Sequence, residues 1–212
     1  MLFGGFRVNK SGGDRIAAAF IVGALLGAGC MYVALLVGVM LNNWHKELTI
    51  PITESETLSR SMPTHISIPE LGIEAEFEAP VGVSSTGELE VPEGFDTVAW
   101  YEYGPTPGEK GPAVVLGHVD SYVGPEIFHQ LWRLKPGDEI EILREDGKVA
   151  VFEVLSSKEY PQSQFPFEEV YGDIDHAGLR LITCSGSYDH GAMRYSHNLI
   201  VFAALTRVEA VA

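Results

Sequence analysis

The chain has 212 residues, with 14 Lys and Arg against 29 Asp and Glu, a formal charge of −15. So acidic a surface repels nucleic acid and anionic lipid, which excludes both as partners of the folded part. Only two cysteines occur, Cys30 and Cys184, and Cys30 falls in an apolar run, so beyond that run no intramolecular disulfide can form.

Residues Ile16 to Leu41 contain no charged side chain, and at about 1.5 Å per residue they are long enough to cross a hydrocarbon core of about 30 Å. Arg7, Lys10 and Arg15 precede the run against a single Asp14, which predicts a cytoplasmic N-terminal tail over 1–15 and an extracellular remainder. The run is longer than the core of a cleaved signal and exits at Trp44, an interfacial residue type, so an uncleaved single-pass transmembrane helix is expected. Setting the tail aside leaves 11 Lys and Arg against 28 Asp and Glu, about −17. Residues 42–62 are rich in Thr, Ser, Glu and Asn without periodicity and read as an extracellular stalk. About 150 residues remain at 63–212, enough for one buried core.

From Thr64 on, short apolar or alternating runs are punctuated by Gly, Pro and Asp, the pattern of a mainly β domain. Strands are predicted over His65–Ile68, Ala79–Val83, Val98–Tyr101, Ala113–His118, Asp138–Leu143, Val149–Tyr160, Gly178–Cys184 and Leu199–Leu205. Eight such strands suggest a closed or nearly closed barrel. Asp146-Gly147 suits a tight hairpin turn with positive φ, and Lys135-Pro-Gly-Asp138 is a second turn. Short helices are expected within Pro125–Trp132 and Pro166–Tyr171.

Three residues stand out for their chemistry. A thiol with a pKa of about 8.5 is only a few per cent thiolate at neutral pH, so a nucleophilic Cys184 needs a cationic or hydrogen-bonding neighbourhood. His118 closes an apolar run in which Val114, Leu116 and His118 share a face, so its imidazole emerges at a strand end. Arg194 follows Cys184 in a segment rich in Gly and Ser, Ser185 to His197, read as a link between strands. Each has a plain reading too: a turn histidine, a small core cysteine and a solvated arginine. His190 and His197 are rival bases, expected to be exposed in the same link.

The stretch Arg180-Leu-Ile-Thr-Cys184 resembles the Thr-Leu-x-Thr-Cys signature of sortases, the cysteine transpeptidases of Gram-positive surfaces, with Arg180 in place of the first Thr. The resemblance runs from about Ile68 to Leu205. Within it, Gly117-His-Val-Asp-Ser121, the Trp100-Tyr101 pair ahead of Gly104-Pro-Thr-Pro-Gly108, and Gly124-Pro-Glu-Ile-Phe128 are most similar to class F, ahead of classes D and E. It implies an eight-stranded sortase-type β-barrel whose groove holds His118, Cys184 and Arg194 as catalytic residues, with no metal or organic cofactor. Attack of Cys184 on the Thr-Gly carbonyl of a Leu-Pro-x-Thr-Gly sorting signal would form a thioester, which a cell-wall or pilin amine resolves. His118 would protonate the leaving amine and Arg194 would hold the carbonyl or oxyanion. Thr183 would add a donor beside that oxyanion, and Asp120 and Ser121 would orient His118 or line the groove. Some sortases bind calcium through acidic loops, but Glu168, Glu169, Asp173 and Asp175 show no liganding pattern. Two other readings stay open: a sorting-signal hydrolase without transfer, and a membrane-tethered barrel that binds a surface ligand with Cys184 merely buried.

Overall fold

The run Glu139-Ile-Glu-Ile-Leu-Arg144 alternates, and Ile140 and Ile142 are fully buried while Glu139 and Glu141 are not. That two-residue period, repeated along the chain, sorts each strand into an inner and an outer face. The computed structural model describes residues 57–84 and 89–210, so the predicted tail, the span at 16–41 and stalk residues 42–56 lie outside the described residues. Among the described residues no helix is long and apolar enough to cross a membrane.

The elements in chain order are β1 (Pro63–Ile68), β2 (Ile73–Glu76), β3 (Val98–Trp100), β4 (Gly111–Gly117), β5 (Asp120–Ser121), β6 (Gly124–Pro125), β7 (Glu139–Arg144), β8 (Lys148–Pro161), α1 (Phe167–Tyr171), β9 (Ala177–Asp189) and β10 (Arg194–Ala210). Single 3₁₀ turns sit at Pro69–Leu71, Leu131–Arg133 and Gln162–Gln164. Eight strands form one sheet in the order β2-β1-β7-β8-β10-β9-β4-β3, and β5-β6 is a separate small hairpin. Phe77, just past β2, bridges Val98 of β3, and Glu78 N–H donates to the Val98 carbonyl at 2.9 Å. The sheet's two edges thereby meet in a nearly closed barrel.

All strand pairs in the sheet are antiparallel except β4 with β9, which is parallel. Ile66, Ile140, Phe152, Leu179, Leu181 and Val201 fill the interior among others. A second cluster, Val114, Leu116, Ile182, Ile200 and Phe202 with Val170 of α1, covers the outer face of β4, β9 and β10. Those three strands are therefore buried on both sides, which explains their nearly continuous apolar runs.

Two expectations are corrected. Ala79–Val83 is not a strand; Val81 and Val83 make only isolated bridges, and Pro80 has no N–H to extend a ladder. The eighth strand is instead Ile73–Glu76, where Ile73 and Ala75 face in and Glu74 and Glu76 face out. The segment Ser185–His197 is also less of a link than the sequence suggests: β9 continues to Asp189 and β10 starts at Arg194, leaving a tight turn between them. Met193 in that turn has φ 53°, a left-handed conformation unusual for a branch-free but bulky side chain.

Residues Leu58–Met62, placed in the stalk by composition, are tied to the barrel. Leu58 N–H donates to the Gly108 carbonyl at 2.7 Å, and Glu145 N–H to the Met62 carbonyl at 2.9 Å. The buried Arg144 binds the strap from below, donating to the carbonyls of Ser59 and Pro107 and to Asp146.

Gly117 immediately precedes His118, and a Cβ there would lie 2.6 Å from Cδ2 of Phe128, which is fully buried. Gly117→Ala should destabilise the fold by about 1–3 kcal/mol, the usual cost of overpacking, read as a lower denaturation midpoint. An unchanged midpoint would contradict this close packing.

Candidate active site

In the parallel ladder Val114 pairs with Arg180 and Leu116 with Ile182. Continued by two residues, the same register brings His118 level with Cys184. Leu179 and Leu181 face the interior whereas Ile182 belongs to the outer cluster, so alternation puts Cys184 on the outer face. Cys184 is half-buried there. The sulfur is not walled into the barrel.

His118, Asp120, Ser121, Thr183, Cys184 and Arg194 all line one cleft of about 1340 Å³ on this face. That is room for an extended peptide rather than a single small molecule. One wall is aromatic: Tyr101 lies 5.3 Å from Tyr171, and Phe165 6.1 Å from Tyr171, between ring centroids. Burial first, and then Tyr101, push the Tyr171 hydroxyl up to about 12. Thr183 is buried, its alternation places its side chain opposite that of Cys184, and its hydroxyl has no hydrogen-bond partner among the described residues.

The imidazole of His118 is held by contacts that the sequence does not advertise. Its Nε2 lies 2.8 Å from the Pro92 carbonyl, which can only accept, so Nε2 is the donor and Nδ1 is the nitrogen not engaged by that carbonyl. Phe95 meets the ring edge-on at 5.5 Å. Glu78 fixes the loop that supplies both, accepting from Glu93 N–H at 2.9 Å, Gly94 N–H at 2.7 Å and the Thr97 hydroxyl at 2.5 Å. The Thr97 hydroxyl and these amides hold the Glu78 carboxyl below the usual range.

The thiol of Cys184 does not find the cationic neighbourhood expected of it. Burial, and secondly the Asp120 carboxylate, push its pKa up. Arg194 stands exposed at the cleft rim, where its charge acts on Asp189. Because a raised pKa means less thiolate at every pH below it, iodoacetamide should label Cys184 in the native protein more slowly at pH 7 than in the unfolded chain. The labelling rate should rise through a midpoint above the about 8.5 of a free thiol. Peptide mass spectrometry would read this; a midpoint below that value would contradict the environment described.

Asp120 has a partner of its own. The Tyr195 hydroxyl donates to its Oδ2 across the cleft from β10 to β5. Burial, then this contact and the Asp120 charge, push Tyr195 up to about 12, and the nearby Cys184 adds to the effect.

A family profile described as the sortase domain matches residues 66–206. The chain belongs to the sortase family. Sortases are cysteine transpeptidases, and among the described residues Cys184 is the one cysteine, lining the cleft. No curated protein sequence matches the chain. Solved structures of similar fold include the pilus-related sortase C of Group B Streptococcus, 20% identical, with TM-score 0.53, covering 71% of this chain and 69% of that one. Sortase A of Listeria monocytogenes is 14% identical with TM-score 0.55, covering 73% and 92%. A lid mutant of Corynebacterium diphtheriae sortase A is 19% identical with TM-score 0.54, covering 72% and 74%.

The sortase signature's first position is occupied here by Arg180, and the fold uses the substitution. The buried guanidinium donates to the carbonyl of Glu169 in α1 at 3.2 Å and lies 4.9 Å over the Phe202 ring, fastening the helix that borders the cleft to β9. Burial lowers its pKa from the ordinary value. Of the two rival histidines, His190 is exposed and lines the cleft, edge-on to Tyr188 at 5.1 Å. His197 is half-buried within β10 rather than in a loop, with Nδ1 2.8 Å from the Ser196 hydroxyl. Ser121 donates to Glu126 at 2.5 Å, while the His118 ring is bonded to Pro92. Glu169 is engaged by Lys158 and Tyr160, and Asp175 by His176. Among the described residues no group of three or more His, Cys, Asp or Glu is arranged to hold a metal ion.

Proposed function

We propose that this sortase is a single-pass membrane enzyme, most like class F, that cleaves a Leu-Pro-x-Thr-Gly sorting signal between Thr and Gly and transfers the acyl group to a cell-wall or pilin amine. The observation that supports the chemistry best is that Cys184 and His118, which lie two residues beyond the last recorded pair of the parallel β4–β9 ladder, line the same cleft. The class F reading rests on Gly117-His-Val-Asp-Ser121 and the Trp100-Tyr101 pair. The membrane reading rests on the uncharged run Ile16 to Leu41 with three basic residues ahead of it. It places the N-terminus in the cytoplasm and the barrel outside.

In the mechanism that follows, Cys184 attacks the Thr carbonyl as thiolate, and Arg194 at the rim swings its guanidinium onto the developing oxyanion. His118, protonated at Nδ1 as well as Nε2, gives the Nδ1 proton to the departing glycine amine. The thioester remains on Cys184 until an amine replaces sulfur. Since the free thiol is disfavoured as thiolate, only a minor fraction of molecules is poised at any instant, and turnover should be slow.

The test is incubation of the purified protein with Leu-Pro-x-Thr-Gly peptides, with and without primary amines. Mass spectrometry should detect a thioester on Cys184 and an amide product. Acyl-enzyme that yields only free acid in the presence of amine would favour hydrolysis over transfer.

A further inference from the structure

Transfer requires a second substrate beside Cys184, and at neutral pH a primary amine arrives as an ammonium ion. Resting on the function proposed above, we infer that the Asp120 carboxylate, held by Tyr195, is the docking site for the ammonium of the acceptor. Both residues line the cleft that contains Cys184. Asp120 is anchored at one oxygen only: Oδ2 accepts from the Tyr195 hydroxyl, and Oδ1 accepts no hydrogen bond from a described residue. The side chain is exposed to the cleft, so its free lone pairs are open to a cation.

The electrostatics agree with this geometry. Asp120 is close enough to Cys184 to raise its thiol pKa, second only to burial. For the acylation step that charge is a handicap, since it disfavours the thiolate nucleophile. Its proximity makes sense for the second half-reaction, where the sulfur is an uncharged thioester and the incoming group is cationic. Charged hydrogen bonds of this kind are about twice as strong as neutral ones.

The chemistry balances. The docked ammonium loses one proton to solvent, and the neutral amine attacks the thioester carbonyl. The C–N bond forms as the C–S bond breaks, and the second nitrogen proton passes to neutral His118. The products are the amide, the Cys184 thiolate and the His118 imidazolium, which restores the pair that began the cycle. The first proton goes to solvent, and Asp120 holds the ammonium without taking part in proton transfer. Its effect is to concentrate the acceptor, so it belongs in the KM for amine.

The test compares two acceptors at pH 7: triglycine, whose amine is largely charged, and hydroxylamine, which is largely uncharged. With a Leu-Pro-x-Thr-Gly peptide as acyl donor, the ratio of triglycine to hydroxylamine product should fall about tenfold in Asp120→Asn and recover in part in Asp120→Glu. The KM for triglycine should account for the fall. In the unaltered protein the same ratio should drop several-fold between about 0.05 and 0.5 M salt, because screening weakens an exposed ion pair. This measurement holds even if the variants fold poorly. A ratio that stays within twofold under both changes, while thioester forms, overturns the ammonium site and leaves the transpeptidase reading intact. Absence of thioester in the unaltered protein overturns that reading and this one with it.

Discussion

Cys184→Ala should abolish the thioester and bring sorting-peptide cleavage to the limit of detection, because no other described thiol exists to replace it. His118→Ala and Arg194→Ala should each lower kcat/KM at least about a hundredfold, the usual loss of a general acid or an oxyanion donor and about 2.7 kcal/mol of barrier. The two need not fail alike. Without His118 the leaving amine lacks its proton, so acylation itself should stall. Without Arg194 the thiol environment should stay as it is, since burial and Asp120 set it. Iodoacetamide labelling of Cys184 in Arg194→Ala should therefore match the unaltered protein while peptide turnover collapses. Near-normal turnover in Cys184→Ala, by peptide mass spectrometry, would remove this cysteine from the chemistry.

Arg144→Ala should be the most damaging substitution away from the cleft, costing about 3 kcal/mol. The Arg144 side chain is wholly buried, donating to the Ser59 carbonyl at 2.6 Å, to that of Pro107, and to Asp146 at 3.1 Å. Its removal strands two carbonyls and an acidic partner at once. Asp146 keeps a third of its side chain in water, which holds the cost to the lower end of the range for a broken buried pair. For a domain of this size the melting temperature should fall by roughly 6–12 °C. The strap at Leu58–Met62 should lose hydrogen-exchange protection first, and equal protection in the variant would show that Arg144 does not hold it.

Much of the barrel can be read from side-chain periodicity because burial dictates it. β7 and β8 declare themselves through alternation around Asp146-Gly147, and Gly147 does take a positive φ of 74°. β4, β9 and β10 show as apolar runs since both their faces are covered. β2 is hidden because two of its four residues are outward-facing glutamates and its length is set by pairing with β1. The outer reaches of β9 and β10 are hidden for a related reason: Gly186 and Ser187 have weak strand preference, and their extension comes from each other's hydrogen bonds. At the cleft, Cys184 and His118 end recognisable runs, whereas Arg194 reads as part of a link because the strand it opens starts five residues before the apolar run at Leu199. The Pro92 carbonyl, Phe95, Glu78 and Tyr195 are not legible, since each acquires its role through a contact distant in sequence.

The parallel pairing of β4 with β9 has an architectural corollary. Cys184 and His118 lie two residues past the last recorded rung of that ladder, so their backbone spacing follows from it and not from the excursion of chain that joins the two strands. That excursion includes β7 and β8, which pairing with β1 and β10 fixes in the barrel, but its cleft-lining parts, β5 and α1 with the turn ahead of it, can change their side chains and re-tailor which peptides are admitted while Cys184 and His118 stay put. A slip of β9 by a single rung would do the opposite, turning Cys184 inward together with Ile182 and so taking the thiol out of the cleft.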